Sequence, residues 1–147
     1  DRQPLKPLRM LFLCTGNSCR SQLAEGWTRH LKRGQIEAFS AGIETHGLNP
    51  HAVAVMAEVG VDISSQRSQH IDEFSAIELD VVVTVCDHAA EICPIFPGAT
   101  RVIHRAFADP PRLAAAAATE VEGLVFYRRI RDEIRSFVES LPEAILP

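Results

Sequence analysis

Asp80-Val81-Val82-Val83-Thr84-Val85 constrains the fold of this chain more than any other stretch. Successive residues of a strand face opposite sides of its sheet, so a β-branched, almost wholly apolar run needs cover on both faces. An interior strand of a parallel sheet, sandwiched between helices, meets that demand. The rest of the chain agrees: apolar runs at Arg9–Leu13, Glu37–Ser40 and Arg101–His104 alternate with helical patterns. Those patterns fall at Ser21–Lys32, Pro50–Val59, a short one near Ile71–Ile77, and a long one from about Thr119 to Leu141. Asn49 and Pro50 suit the start of the second helix, and Gly60 the residue just past its end. In the long helix Val121, Leu124, Tyr127, Ile130, Ile134, Phe137 and Leu141 form one apolar stripe. Ala114–Ala118 has good helix propensity, and Trp27 reads as core. The expected fold class is α/β, a single domain with a four-stranded parallel sheet and helices on both faces.

A length of 147 residues fits one domain, expected over residues 8–147, with residues 1–7 as a loose leader or linker. The first residue is Asp, so the start is expected to be processed, cut or engineered. Net charge is −4, which leaves no electrostatic footprint for nucleic acid or an anionic membrane. No apolar stretch approaches a membrane span and no signal-peptide pattern appears, so a cytoplasmic location is expected. Four cysteines in such a chain point to metal or catalysis before a disulfide framework.

Chemistry concentrates in Cys14-Thr15-Gly16-Asn17-Ser18-Cys19-Arg20-Ser21, between the first strand and the first helix. The backbone N–H groups of this turn can converge on a tetrahedral oxyanion, and the helix start adds positive potential. Arg20 can grip two oxygens of the same anion. Cys14, held among those donors, is expected to be a thiolate at neutral pH and hence a nucleophile. In an acidic chain this capture must be local. Chemistry at a phosphate-like centre follows.

Val85-Cys86-Asp87-His88-Ala89-Ala90-Glu91-Ile92-Cys93-Pro94 is the second informative passage. Strands of a parallel sheet end on one edge, so Cys86 is expected on the same rim as Cys14. Cys93 follows seven residues later, which on a helix is about 10.5 Å along the axis. A disulfide needs Cα atoms within about 7 Å, so bonding between the two requires the segment to loop or unwind. The pair reads either as small buried hydrophobes or as a redox couple, and a reactive Cys14 nearby favours the second. Cysteine spacings do not match zinc patterns. His88 either tunes Cys86 or is a solvated loop residue. Asp109, in Phe107-Ala108-Asp109-Pro110-Pro111, either initiates a turn or supplies a proton to a leaving oxygen at this edge.

On these passages the chain resembles cytosolic arsenate reductases built on the low-molecular-weight phosphotyrosine phosphatase fold, most of all the thioredoxin-coupled branch. The resemblance runs from about Arg9 to about Val138. Besides Cys14–Gln22 it includes Ala24-Glu25-Gly26, Ser40-Ala41-Gly42, His46-Gly47-Leu48-Asn49-Pro50, Gly60-Val61-Asp62-Ile63-Ser64, the cysteines 86 and 93, and Asp109-Pro110. It implies Cys14 as nucleophile, Arg20 and the Thr15–Ser21 loop on the arsenate oxygens, Ser21 on the thiolate, and Asp109 as general acid. It further implies that Cys86 attacks the Cys14–arsenic adduct, that Cys93 then takes the disulfide from Cys14, and that thioredoxin reduces it without a cofactor. Some relatives hold potassium with Asn17, Glu25, Ser40 and an acidic residue. Here Gln69 stands at that acid's position, a loss that weakens a hard-cation site, and no metal is expected. A low-molecular-weight tyrosine phosphatase is the nearest alternative. Gln22 and Pro111 replace that group's usual proline and aromatic residue, and a phosphatase has no need of two further thiols. A non-catalytic oxyanion-binding module is the alternative from another class.

Overall fold

The computed structural model describes residues 6–94, 96 and 100–146, so residues 1–5 of the expected leader lie outside it. Its strands are β1 (Leu8–Cys14), β2 (Ile36–Gly42), β3 (Val81–Thr84) and β4 (Arg101–His104). Its α-helices are α1 (Arg20–Leu31), α2 (Pro50–Ala57), α3 (Asp87–Glu91), α4 (Pro110–Ala114) and α5 (Glu120–Glu139). Short 3-10 helices lie at Ile71–Phe74, within the helix expected near Ile71–Ile77, and at Glu143–Ile145. The strands form one parallel sheet in the order β2-β1-β3-β4. Residues Met10 to Cys14 of β1 and all of β3 are buried without alternation, so both faces of the sheet centre are covered. From β1 the chain steps out to β2 and then crosses to β3 on the other side. The carboxyl ends of β1 and β3 therefore flank the point where the strand order reverses, the place where such sheets bind ligands.

Local chemistry explains the element ends. Asn49 caps α2 by accepting from the His51 and Ala52 N–H groups, with Pro50 supplying the first helical residue. Gly60, at φ +80°, ends that segment in the left-handed region. Thr119 caps α5 through the Glu122 N–H. Trp27 is fully packed and donates to the Arg131 carbonyl at 3.0 Å, joining α1 to α5. A buried Arg131 in turn donates to the Val55 carbonyl at 2.9 Å and to Glu58 at 3.0 Å, tying α5 to α2.

Three expectations need correction. Val121 is 72% exposed, while Val138 takes a fully buried place on α5. In the first turn of α5 the inward position is held by Gly123, packed against Ala114 of α4, which leaves Val121 facing solvent. The alanine tract is helical only at Ala114, because the chain must reverse there to start α5 at Glu120. The short helices α3 and α4, absent from the sequence reading, are started by end caps at Cys86 and by Pro110-Pro111. Among the described residues no helix is long and apolar enough to cross a membrane.

Candidate active site

The loop leaving β1 is held from outside by its carbonyls. Cys14 O accepts from the Ile43 N–H at 3.2 Å, Thr15 O from Glu44 at 2.8 Å, Gly16 O from His46 at 2.9 Å and Ser18 O from Asn49 at 3.0 Å. Gly16 O also accepts from the Ser68 hydroxyl at 3.1 Å, and Asn17 O from Gln22 Nε2 at 2.9 Å. With five successive carbonyls turned toward the surrounding protein, the amide N–H groups of the same peptide planes point the other way, into the loop's concave side. Asn17 bends the turn at φ 48°, its Oδ1 accepts the Gln69 N–H at 2.7 Å, and its Nδ2 donates to Ser21 Oγ at 2.8 Å. A Cβ on Gly42 would run into Glu44 O and the Asn17 N–H, and one on Gly16 into the His46 ring. Gly42, which meets backbone, is needed for the close approach of the end of β2 to the loop, whereas Gly16 faces only the half-exposed His46 ring.

Arg20 opens α1 and lies across the mouth of this cradle. Its Nη1 donates to the Phe107 carbonyl at 2.9 Å, and its Nη2 lies 3.8 Å from Asp109 Oδ1. The sequence carried no signal of the Phe107 contact, since a backbone carbonyl has no residue type. Asp109 stands at the N-cap position of α4 without a side-chain capping bond, half-exposed, so turn-former and acid are compatible roles.

Cys14 and Cys86 meet. Their thiols share a hydrogen bond, Thr15 Oγ1 lies 3.3 Å from Cys86 Sγ, and the Ala89 N–H donates to that sulfur at 3.4 Å. Donation from Cys14, together with Thr15, Ala89 and the Arg20 charge, pulls Cys86 down to about 5 despite its burial. The same contact and burial push Cys14 well above the ordinary thiol range, against the pull of Arg20 and the Thr15 N–H. The two thiols titrate as a pair, and their surroundings favour negative charge on Cys86 over Cys14, contrary to the expectation of a Cys14 thiolate. Ser21 Oγ accepts from Asn17 Nδ2, which leaves its own hydroxyl hydrogen to donate.

The remaining thiols are free as well. Cys19 is buried and pushed up to about 12 by that burial, with Asp109 adding to the rise, so it is inert. Cys93 is half-buried against the core beyond the end of α3, with its thiol raised by burial. His88 is exposed on α3 and takes no part in holding Cys86, whose donors are Cys14, Thr15 and Ala89.

The donors that hold potassium in some relatives are occupied. Glu25 Oε1 accepts the Ser40 hydroxyl at 2.6 Å, and Glu25 Oε2 pairs with Arg29 Nε at 2.8 Å. Asn17 Oδ1 is taken by Gln69. Burial raises the Glu25 carboxyl, opposed by Ser40 and Arg29. A set whose one carboxylate already has a guanidinium partner, with Gln69 in place of a second carboxylate, carries too little negative charge to fit a hard cation.

Residues 9–145 match the family model described as low molecular weight phosphotyrosine protein phosphatase. The chain is 48% identical over 132 residues to a protein of Bacillus subtilis named arsenate reductase, covering 90% of this chain and 93% of that one. It is 47% identical over 132 residues to one of the same name from Halalkalibacterium halodurans, with the same coverage. A solved structure titled "An arsenate reductase in the phosphate binding state" superposes with a TM-score of 0.72 at 32% identity, covering 95% of this chain and 99% of that chain. An oxyanion cradle closed by an arginine, on this sheet, with a match over nearly the whole chain, leaves one assignment: the chain belongs to the low molecular weight phosphotyrosine protein phosphatase family.

Proposed function

We propose that this protein reduces arsenate to arsenite through a disulfide relay of Cys14, Cys86 and Cys93, recycled by thioredoxin. The observation that carries the reading is the place of Cys86 beside Cys14 at the oxyanion cradle, its Sγ 3.3 Å from Thr15 Oγ1. A hydrolase needs one thiol there; a reductase needs a second within reach. The names of the relatives from Bacillus subtilis and Halalkalibacterium halodurans support the same substrate.

Arsenate enters the cradle with its oxygens on the Thr15–Ser21 N–H groups and on Arg20. The thiol proton passes from Cys14 across the shared hydrogen bond to Cys86, and the Cys14 thiolate attacks arsenic. Asp109 protonates the departing oxygen, which leaves as water. Cys86 loses that proton to solvent and, again a thiolate, attacks Cys14 Sγ. A Cys14–Cys86 bond forms, the sulfur–arsenic bond breaks, and its electron pair stays on arsenic, which leaves as arsenite. Two thiols have been oxidised and arsenic(V) reduced to arsenic(III). The Cys93 thiolate then attacks Cys86 Sγ, freeing Cys14, and the thioredoxin dithiol reduces the Cys86–Cys93 bond.

The test is arsenate-dependent NADPH oxidation with thioredoxin and thioredoxin reductase, repeated with Cys14→Ser, Cys86→Ser and Cys93→Ser. Each variant should lose sustained turnover, and Cys93→Ser should still release one arsenite per enzyme. Full turnover of Cys86→Ser would overturn the relay. Arsenate binding with no NADPH consumption would instead favour a binding module. A phosphatase reading is favoured by the shared nucleophile, arginine and acid. On that reading Cys86→Ser should hydrolyse aryl phosphates as well as wild type does, and wild type should do so at rates that exceed arsenate reduction.

A further inference from the structure

Beside the relay lies a chain of polar contacts that the chemistry above does not use. Thr84 Oγ1, at the end of β3, is 2.9 Å from His104 Nδ1, at the end of β4. The other ring nitrogen, His104 Nε2, is 3.0 Å from Asp87 Oδ1. Asp87 is the first residue of α3 and the neighbour of Cys86. A carboxylate only accepts, so Nε2 carries a proton and donates to Asp87, and the Thr84 hydroxyl fills the demand at Nδ1. Thr84 is fully buried and fixed in the sheet, whereas His104 and Asp87 are 41% and 83% exposed. The sheet thus reaches through the imidazole to grip the start of the helix that bears Cys86.

Little else holds α3. It spans five residues, and its hydrogen bonds include Ala90 N–H to Cys86 O and Ile92 N–H to His88 O, each at 3.2 Å. Of its side chains only Ala89 is buried. In this folded form Cys86 faces Cys14. While residues 87–91 are helical, Cys86 and Cys93 are about two turns apart, too far for a disulfide. Transfer of the disulfide to Cys93 must unwind α3, and unwinding changes the backbone at Asp87 first.

We propose that His104 is a positioning residue which, by bonding Asp87 to Thr84, latches α3 in the form that presents Cys86 to Cys14 and releases it when the disulfide passes to Cys93. The inference rests on the relay proposed above. The latch is made in the reduced helix and lost in the Cys86–Cys93 form, so it favours the dithiol. Without it the 86–93 disulfide forms more readily.

The test is the reduction potential of the 86–93 couple, measured by equilibration with glutathione redox buffers in full-length protein carrying Cys14→Ser. Adding His104→Ala should shift the equilibrium about fivefold toward disulfide, the size expected of one hydrogen bond. That corresponds to a potential about 20 mV more negative, at about 30 mV per tenfold for two electrons. Asp87→Ala should give the same shift, the double variant no more than either single one, and Asp87→Asn, which keeps an acceptor for Nε2, close to none. In reduced His104→Ala the Ala90 and Ile92 amides should exchange faster with solvent. An unchanged potential, additive shifts from the two alanine variants, or unchanged exchange would each overturn the latch. Its failure is separable from that of the relay. If Cys93→Ser with His104 intact sustains turnover with thioredoxin, or no 86–93 disulfide forms in any buffer, the relay falls and takes the latch with it. If the disulfide forms and the variants leave it unmoved, only the latch falls.

Discussion

Cys86 owes its low pKa to what donates to it, and Cys14 its high one to the same contact. The ultraviolet thiolate signal of the ligand-free protein should therefore rise as pH passes upward through about 5, one thiolate per chain, and Cys86→Ser should abolish that step. In Cys86→Ser the largest cause raising Cys14 is gone, leaving burial against Arg20, so the Cys14 thiol should ionise at lower pH than in wild type. Alkylation of Cys14 against pH reads this out; an unchanged profile would count against the shared proton. Arg20→Ala removes both the grip on anion oxygens and the bond to Phe107, and kcat/KM for arsenate should fall at least about a hundredfold. At Glu25 a guanidinium already balances the charge. Exchanging potassium for a bulky organic cation at constant ionic strength should leave the thermal midpoint unchanged.

The loop and α3 differ in how they are held. The loop's carbonyls are pinned by backbone and side chains from β2's far end, residues 46–49 and residues 66–69, so it is rigid before any anion arrives. Gly42→Ala would force Glu44 O and Asn17 N away from a new Cβ, at a cost of about 1–3 kcal/mol. Urea unfolding measures that loss, and phosphate inhibition should weaken with it because the N–H groups lose their aim. The oxyanion word was legible in the sequence because it is written in residue types at fixed spacing, as were the strand that feeds it and the rim shared by Cys14 and Cys86. What could not be read was whatever depends on atoms common to all residues. The Phe107 carbonyl on Arg20 and the outward carbonyls of residues 14–18 leave no trace in composition. The proton's place between two sulfurs also escaped, since it depends on their meeting, and α3 escaped because five residues carry too little periodicity to register.

Across the molecule, α1, α2 and α5 are joined through Trp27, Arg131 and Glu58, on the structure that backs the loop rather than at its mouth. Arg131→Ala should lower stability by about 2 kcal/mol, chiefly from the lost bond to Val55 O and the emptied space. It should leave the potential of the cysteine pair unmoved; a change in both would mean that the scaffold and the sulfur chemistry are linked. The apolar stripe of α5 was legible over its middle, where Tyr127, Ile130 and Ile134 are buried. Its first turn was not, because the residue packed inward there is Gly123, which has no apolar side chain to register in the stripe.

One guanidinium bonds the Phe107 carbonyl and stands beside the Asp109 carboxylate. In the proposed mechanism a ligand that draws Arg20 inward would therefore pull on the chain two residues ahead of the proton source. Capture of the anion and aim of the acid would then be mechanically one event, and a bystander ion too small or too weakly charged to recruit that side chain would sit in the cradle without ever summoning a proton.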